Sequence, residues 1–315
     1  MINSGSKKNI GLSGDLPEVS VVVATYNDEK TIERCLNNLM MLDYPSYEVI
    51  VVDNNSRDQT SAIVEEYVRK CNRITSLFEG KKGWPAARNN AIRYAKAGFV
   101  ANIDADCFAT PSWLKNLMAG FASEDIGCVV GKTVVEPGQT LAQQYYAGIN
   151  AFNIEHHIGV NPYVPWGGGN NVFLQKAFLK AGGYNDKVYT SGADAEFHAR
   201  MERETGYRTV YQKEALIYHV ARGSVRDFFF VQVKYAYDGH SRSRMIPELK
   251  SRYRCYITKK IWSASIHLMG FFYRLIKFII GKETKLRLVS PLFNIVRAVG
   301  AIYGNMKGKL RIILE

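Results

Sequence analysis

Phe99-Val100-Ala101-Asn102-Ile103-Asp104-Ala105-Asp106 reads as a short apolar strand that ends on two carboxylates, just before a helix start at Thr110-Pro111-Ser112. With Ile103 and Ala105 facing a core, the period-two alternation of a strand puts Asp104 and Asp106 on one side, where a sheet meets solvent. The carboxyl ends of sheet strands are where open α/β folds bind ligands. Two like charges this close repel each other unless something positive lies between them, and a hard divalent cation carrying a diphosphate meets that need. On its own, an Asp-X-Asp triplet belongs more often to a turn or a helix cap than to a metal site.

Upstream of this stretch, β-branched runs alternate with amphipathic ones. Residues 19–24 (VSVVVA) and 48–52 (EVIVV) read as buried strands, and 74–78 as a weaker one. Between them, Ile32, Leu36, Leu39 and Met40 recur at helical spacing, a second helix starts near Asp58-Gln59-Thr60, and Pro85 suits the first turn of a third. Strands separated by such helices predict a parallel sheet with right-handed crossovers. That sheet would bring Thr25-Tyr26-Asn27, Asp53-Asn54-Asn55 and Asp104-Ala105-Asp106 to one edge. Downstream the spacing predicts a strand over 129–135 and a helix over 141–151. A glycine-rich loop over 161–171 follows, then helices over 175–181 and 193–205, and short strands over 208–211 and 216–218.

The 315 residues are 47% hydrophobic, enough for a sizeable core. The net charge of +12 is uneven: residues 241–315 hold 16 Lys or Arg and 3 Asp or Glu, so the rest of the chain is close to neutral. A basic tail on a neutral body predicts an anionic partner. Residues 261–280 are strongly apolar, yet His267, Gly270, Arg274 and Lys277 gather into one narrow helical stripe. Central charges argue against spanning a membrane and for lying in its interface. The alternative is that this helix and a similar one over 288–303 pack on the body or on a second subunit as a homo-oligomer. Long apolar runs mixed with the basic residues suit lipid better than nucleic acid, and no nucleic-acid partner is expected. Five scattered cysteines with no Cys-X-X-Cys spacing, and an N-terminus without an apolar signal core, predict a cytosolic chain.

Four segments in register, Ala24-Thr25-Tyr26-Asn27, residues 51–58 (VVDNNSRD), Ala87-Arg88-Asn89 and Ile103-Asp104-Ala105-Asp106, resemble the successive signatures of family 2 glycosyltransferases with the GT-A fold. Gly167-Gly168-Gly169-Asn170-Asn171, Gly192-Ala193-Asp194 and Tyr218-His219 extend the resemblance, which covers about 19–239. It implies a Rossmann-like, mostly parallel sheet flanked by helices. It divides the chain into a short tail over 1–16, a glycosyltransferase domain over 17–240 (nucleotide-sugar half 17–135, acceptor half 136–240) and the basic helical region 241–315.

The resemblance also assigns roles. Tyr26 would stack on the nucleotide base and Asp53 would accept its ring N–H; the bland reading is a strand closure and a turn cap. Arg88 would approach the donor diphosphate, or be one more exposed helical arginine. Asp104 would face the ribose and metal region, while Asp106, with His219, would ligate Mn²⁺ or Mg²⁺; a histidine ending a strand is often only structural. Asp194 would take the proton from the acceptor hydroxyl in an inverting transfer, or cap the helix that follows. Ala193 stands where the family usually has an acid, and Glu196 is the nearest candidate to compensate. Trp166, Gly169, Asn170 and Asn171 would face the acceptor, and Arg222, Arg242 and Arg244 would help hold the diphosphate. The implied partners are a UDP- or GDP-sugar, a glycan or lipid-linked acceptor, and the cytosolic face of a membrane. A nucleotidyltransferase is disfavoured, because the loop after the first strand, Tyr26-Asn27-Asp28-Glu29, is acidic rather than a basic glycine-rich phosphate loop. A non-catalytic scaffold, suggested by Ala193, conflicts with retention of Asp104, Asp106 and Asp194 together.

Overall fold

A computed structural model describes residues 16–158, 166–187, 192–221, 223–245, 256–280 and 284–314; side chains at 238–245, 256–259 and 308–314 fall outside the description. The chain forms two compact units, one of Met1–Val134, Asn153–Tyr189 and Ala193–His219, the other of Val135–Phe152, Thr190–Gly192 and Val220–Glu315.

The first unit is built on the sheet that the β-branched runs predict. Strands β1 (Val19–Thr25), β2 (Tyr47–Asp53), β3 (Ile74–Phe78) and β4 (Phe99–Asp104) run parallel. The sheet continues through β7 (Asn170–Leu174), β6 (Ile126–Val135), β8 (Arg208–His219) and β5 (Cys107–Ala109) in the order β3-β2-β1-β4-β7-β6-β8-β5. β7 is antiparallel to β4, and β5 to β8. Between the parallel strands lie α1 (Ile32–Met40), α2 (Thr60–Lys70) and α3 (Trp84–Tyr94), as right-handed crossovers require.

Val21, Val22, Val23, Ile50, Val51 and Val52 are all fully buried, which is why these strands read as continuous apolar runs rather than alternating ones. Each contributes about 1.5–3 kcal/mol by leaving water. One face carries α3, α6 (Gln175–Lys180) and α7 (Ala193–Thr205), whose Phe178, Phe197 and Met201 pack with Phe173 and Tyr184. Gly182, Gly183 and Gly206, at φ of +80°, +72° and +77°, end α6 and α7 where the sequence places stops. α4 (Trp113–Ala119) packs on β8.

The structure departs from the sequence reading in this unit at several places, and one of them is β7, a strand that begins inside the loop expected over 161–171. The strands expected over 208–211 and 216–218 are one continuous β8; the polar run Gln212-Lys213-Glu214, of which Lys213 and Glu214 are exposed, does not interrupt it. The three-residue β5, directly after the Asp104–Asp106 triplet, is too short to register as a period and is held by its pairing with β8.

The second unit begins with α5 (Leu141–Gly148), opened by a capping box in which the Thr140 hydroxyl accepts from Gln143 N–H at 3.2 Å. Its Tyr145 stacks on Phe293 (4.9 Å between centroids) and meets Phe228 edge-on (5.6 Å). Three long helices follow: α8 (Val225–Met245), α9 (Tyr256–Ile279) and α10 (Lys285–Leu314). The domain limit expected at 240 falls inside α8. Gly300 and Gly304 lie one turn apart on α10 against α8: a β-carbon on Gly304 would collide with the Val233 carbonyl, and one on Gly300 would press on Phe229 and Gln232 at 3.0 Å, so the two helices approach closely. α9 packs chiefly on α10.

Candidate active site

Register sets the site. Thr25 pairs with Asp53 and Ala24 with Asp104, so the ends of β1, β2 and β4 lie level and their following loops open at one edge. The loops after β1 and β2 are tied to each other: Ser56 Oγ accepts from Asn27 N–H (3.0 Å), and Asn27 Oδ1 accepts from Arg57 N–H (2.8 Å). Asn27 and Asn55 take left-handed φ of 56° and 68°, a conformation asparagine tolerates better than most residues. Tyr26 is left half exposed, its ring accessible. Both Asp53 oxygens are engaged in the turn, accepting from Ser56 N–H (3.0 Å) and from the Ser61 hydroxyl.

Arg88 is not an exposed helical arginine. It is 2% accessible, and its guanidinium Nη2 pairs with Asp104 Oδ1 at 2.5 Å while the ring of Trp84 lies 4.8 Å away. An arginine loses strong hydration on burial and is tolerated there because a carboxylate and an aromatic face meet it. The helix that carries it is fixed by Asn54, whose amide donates to the carbonyls of Glu79 and Lys81 (2.8 Å each) and whose Oδ1 accepts from Gly83 N–H (2.7 Å). Arg88 Nε is buried without a partner.

Across from this pair, the loop before β7 runs between Arg88, Asp104 and Asp194. A β-carbon on Gly168 would lie 2.7 Å from Arg88 Nη1 and 3.2 Å from Asp194 Cβ, and one on Gly169 would overlap the Asp104 carboxylate. Only glycine lets the backbone pass. Asp194, at the start of α7, accepts from Gly168 N–H (3.1 Å) through Oδ2 and from Ala195 N–H (2.8 Å) through Oδ1. It therefore anchors its helix and faces the glycine loop at once. Ala193 is fully buried, so the usual acid at that position has no solvent-facing place here. Glu196 does not stand in for it: it is buried in a bidentate pair with Arg200 (2.7 and 3.1 Å), whose guanidinium also donates to the carbonyls of Ala181 and Gly183.

Asp106 and His219 meet because β5 and β8 pair with Cys107 opposite His219. His219 Nε2 lies 3.4 Å from Asp106 Oδ2, and the donor atoms of Asp106, Cys107 and His219 are within 4.8 Å of one another. Burial, with the charges of Asp106 and Asp104 behind it, pushes the Cys107 thiol well up, so it stays protonated. The two acids of the triplet thus serve neighbouring but distinct clusters, Asp104 with Arg88 and Asp106 with His219. Sequence reasoning missed a third acid. Burial pushes the Asp28 carboxyl up to about 6 against hydrogen bonds from Tyr26 N–H and the Thr25 hydroxyl, and the fields of Asp106 and Asp104 add to the rise. Its position three residues past the end of β1 was the available signal.

Other expected site residues lie elsewhere. Asn170 and Asn171, expected on the acceptor side, are buried with their side chains turned inward. Trp113 Nε1 donates to Asn170 Oδ1 (2.8 Å), while Asn171 Oδ1 accepts from the Asn102 amide (2.9 Å) and its own amide donates to the Gly167 carbonyl (3.1 Å). Trp166 packs in the core with its ring 6.3 Å from His198. Arg222 and the side chains of Arg242 and Arg244 lie outside the described residues.

Residues 20–180, just over half of the chain, match the model of Glycosyl transferase family 2. Glycosyltransferase AglE of Haloferax volcanii is 27% identical over 67% of this chain and 69% of its own length. The poly(ribitol-phosphate) β-N-acetylglucosaminyltransferase TarS of Staphylococcus aureus is 43% identical over 32% of this chain but only 18% of its own length. The mannosyltransferase PcManGT from Pyrobaculum calidifontis, solved in complex with GDP-Man and Mn²⁺, superposes over 95% of this chain and 91% of its own, with a TM-score of 0.62 and 18% identity. S. aureus TarS 1–349 in complex with UDP covers 94% of this chain and 91% of its own, at 0.53 and 20%. The chain belongs to glycosyltransferase family 2 and has the GT-A fold.

Proposed function

We propose that this enzyme moves a sugar from a UDP- or GDP-sugar to an acceptor hydroxyl by a metal-dependent, inverting transfer, with all its catalytic groups inside 17–240. The observation that carries the reading is the convergence of Arg88, Asp104 and Asp194 from three distant segments on the Gly168–Gly169 backbone. Tyr26 stacks on the base and Asp53 meets its polar edge. Arg88, already desolvated and aimed at a carboxylate, contacts the donor diphosphate, and Asp104 faces the ribose. Asp194, oriented by the Gly168 N–H, takes the proton from the acceptor hydroxyl as the new glycosidic bond forms and the nucleoside diphosphate leaves. Gly169 and the adjoining loop backbone line the acceptor side.

Asp106 and His219 fit a divalent cation, since one carboxylate and one imidazole 3.4 Å apart can share it. The nitrogen donor favours Mn²⁺ over Mg²⁺, and PcManGT was solved with Mn²⁺. Bound there, the cation supplies Lewis-acid charge to the departing diphosphate. The acceptor is lipid-linked or a surface glycan, and the basic region 241–315 holds the enzyme at the cytosolic face of an anionic membrane.

Thermal denaturation with UDP or GDP tests this reading. One of the two should stabilise the protein in Mn²⁺, by about 2.7 kcal/mol at a hundredfold excess over Kd. The shift should vanish in EDTA and in Asp106→Ala. An equal shift in EDTA would overturn the metal assignment.

A further inference from the structure

Helix α9 is inside out. Its polar positions turn toward α10: Arg274 Nη1 donates to the Arg287 carbonyl (3.3 Å), and Lys260 and His267 are half buried beside Arg297. The stripe of His267 and Arg274 therefore belongs to a helix–helix contact. The opposite face, open to solvent, carries Trp262, Ile266, Met269, Phe272, Ile276 and Ile279, from 51% to 76% exposed. These positions recur at spacings of three and four, so they form one continuous stripe. From Ile261 to Ile280 the stripe runs about 28 Å with no acidic residue. A water-soluble helix packs the other way round, and an apolar stripe of this size marks a surface that is covered when the protein works.

We infer that the outer face of α9 is a membrane-docking surface, lying in the bilayer interface with Trp262, Met269, Phe272 and Ile276 in the acyl region of an anionic leaflet. Charge selects this occupant over a second copy of the chain. Residues 256–314 carry eleven Lys or Arg and one acid, so two such faces brought together would repel, whereas anionic headgroups complement them. α10 also holds a stretch, Lys285–Lys307, long and apolar enough to cross a bilayer, but it packs on both α8 and α9. Among the described residues α10 leaves Leu292, Val299, Tyr303 and Met306 exposed, whereas α9 carries the longer and more densely apolar exposed face. The inference rests on the proposed membrane association and specifies its geometry: apolar insertion by the outer face, with the stripe of His267 and Arg274 held against α10.

Vesicle co-sedimentation of the full chain tests it, using phosphatidylcholine with and without phosphatidylglycerol. The wild type should bind the mixed vesicles, and Phe272→Glu/Ile276→Glu should bind at least tenfold more weakly with an unchanged melting temperature. Arg274→Gln should retain vesicle binding within about twofold and melt earlier. Donor hydrolysis by the glutamate variant in solution should equal wild type, so a failure of docking is distinguishable from a failure of the enzyme assignment. Wild-type-like vesicle binding by the glutamate variant, no binding by the wild type, or a lipid-free dimer that the glutamates dissociate would each overturn the inference.

Discussion

A methyl group at position 168 would sit 2.7 Å from Arg88 Nη1 and 3.2 Å from Asp194 Cβ, where ordinary contact begins near 3.4 Å. Something must give way by about 0.7 Å, the difference between those two figures. Arg88 cannot retreat easily, because it is buried, paired with Asp104 at 2.5 Å and backed by Trp84. Asp194 is tied by two backbone N–H groups. The loop therefore moves, carrying with it the N–H that orients Asp194. A misplacement on the order of 1 Å costs about a hundredfold in rate, or about 2.7 kcal/mol of transition-state stabilisation. Gly168→Ala should accordingly lower kcat for nucleoside diphosphate release about a hundredfold while the protein stays folded. Gly167→Ala is the built-in control: no atom lies within 4 Å of its β-carbon, and its activity should stay near wild type. Equal activities for the two variants would refute the claim that the glycine loop sets the geometry of Asp194 and Arg88.

Two further perturbations probe the frame around the site. Burial pushes His198 down to about 3, so the folded state holds it neutral while the unfolded chain binds a proton below pH 6.5. Stability is then complete above pH 6.5 and falls as pH drops toward 3; between pH 7 and 5 the wild type should lose about 2 kcal/mol more than His198→Gln in urea titrations, and parallel losses would refute this. Glu196→Ala leaves a mostly buried Arg200 without its carboxylate, and should cost about 3–5 kcal/mol of stability; a change below about 1 kcal/mol would show that Arg200 finds water instead.

What the sequence revealed follows from the range of the forces involved. β1, β2 and β4 were legible because a strand buried on both faces must be apolar along its length, and the acids ending them could belong only to the solvent edge. Asp104 and Asp106 were legible as a pair, and the resemblance joined Asp106 to His219; the pairing of Asp104 with Arg88 was not legible, because tertiary packing brings the two together. The sequence likewise marked Asn170 and Asn171 as polar and near the loop. That Trp113 and Asn102 claim their side chains is decided by contacts across 57 and 69 residues. Arg88 could not be told from an exposed helical arginine on its position alone, which shows neither Trp84 nor Asp104. The stripe on α9 was legible as a group but not in its facing: periodicity groups residues onto one side of a helix without saying which side meets a neighbour.

Nucleoside diphosphate release and sugar transfer by the wild type and Asp194→Asn, measured in Mn²⁺ against a panel of UDP- and GDP-sugars, test the central claim most directly. The account predicts turnover of at least one donor by the wild type. In Asp194→Asn it predicts a loss of about 10²–10⁴-fold in transfer, with nucleotide binding intact. Full transfer by Asp194→Asn would contradict the assignment of Asp194 as the base, and absence of turnover with every donor would contradict the proposed reaction.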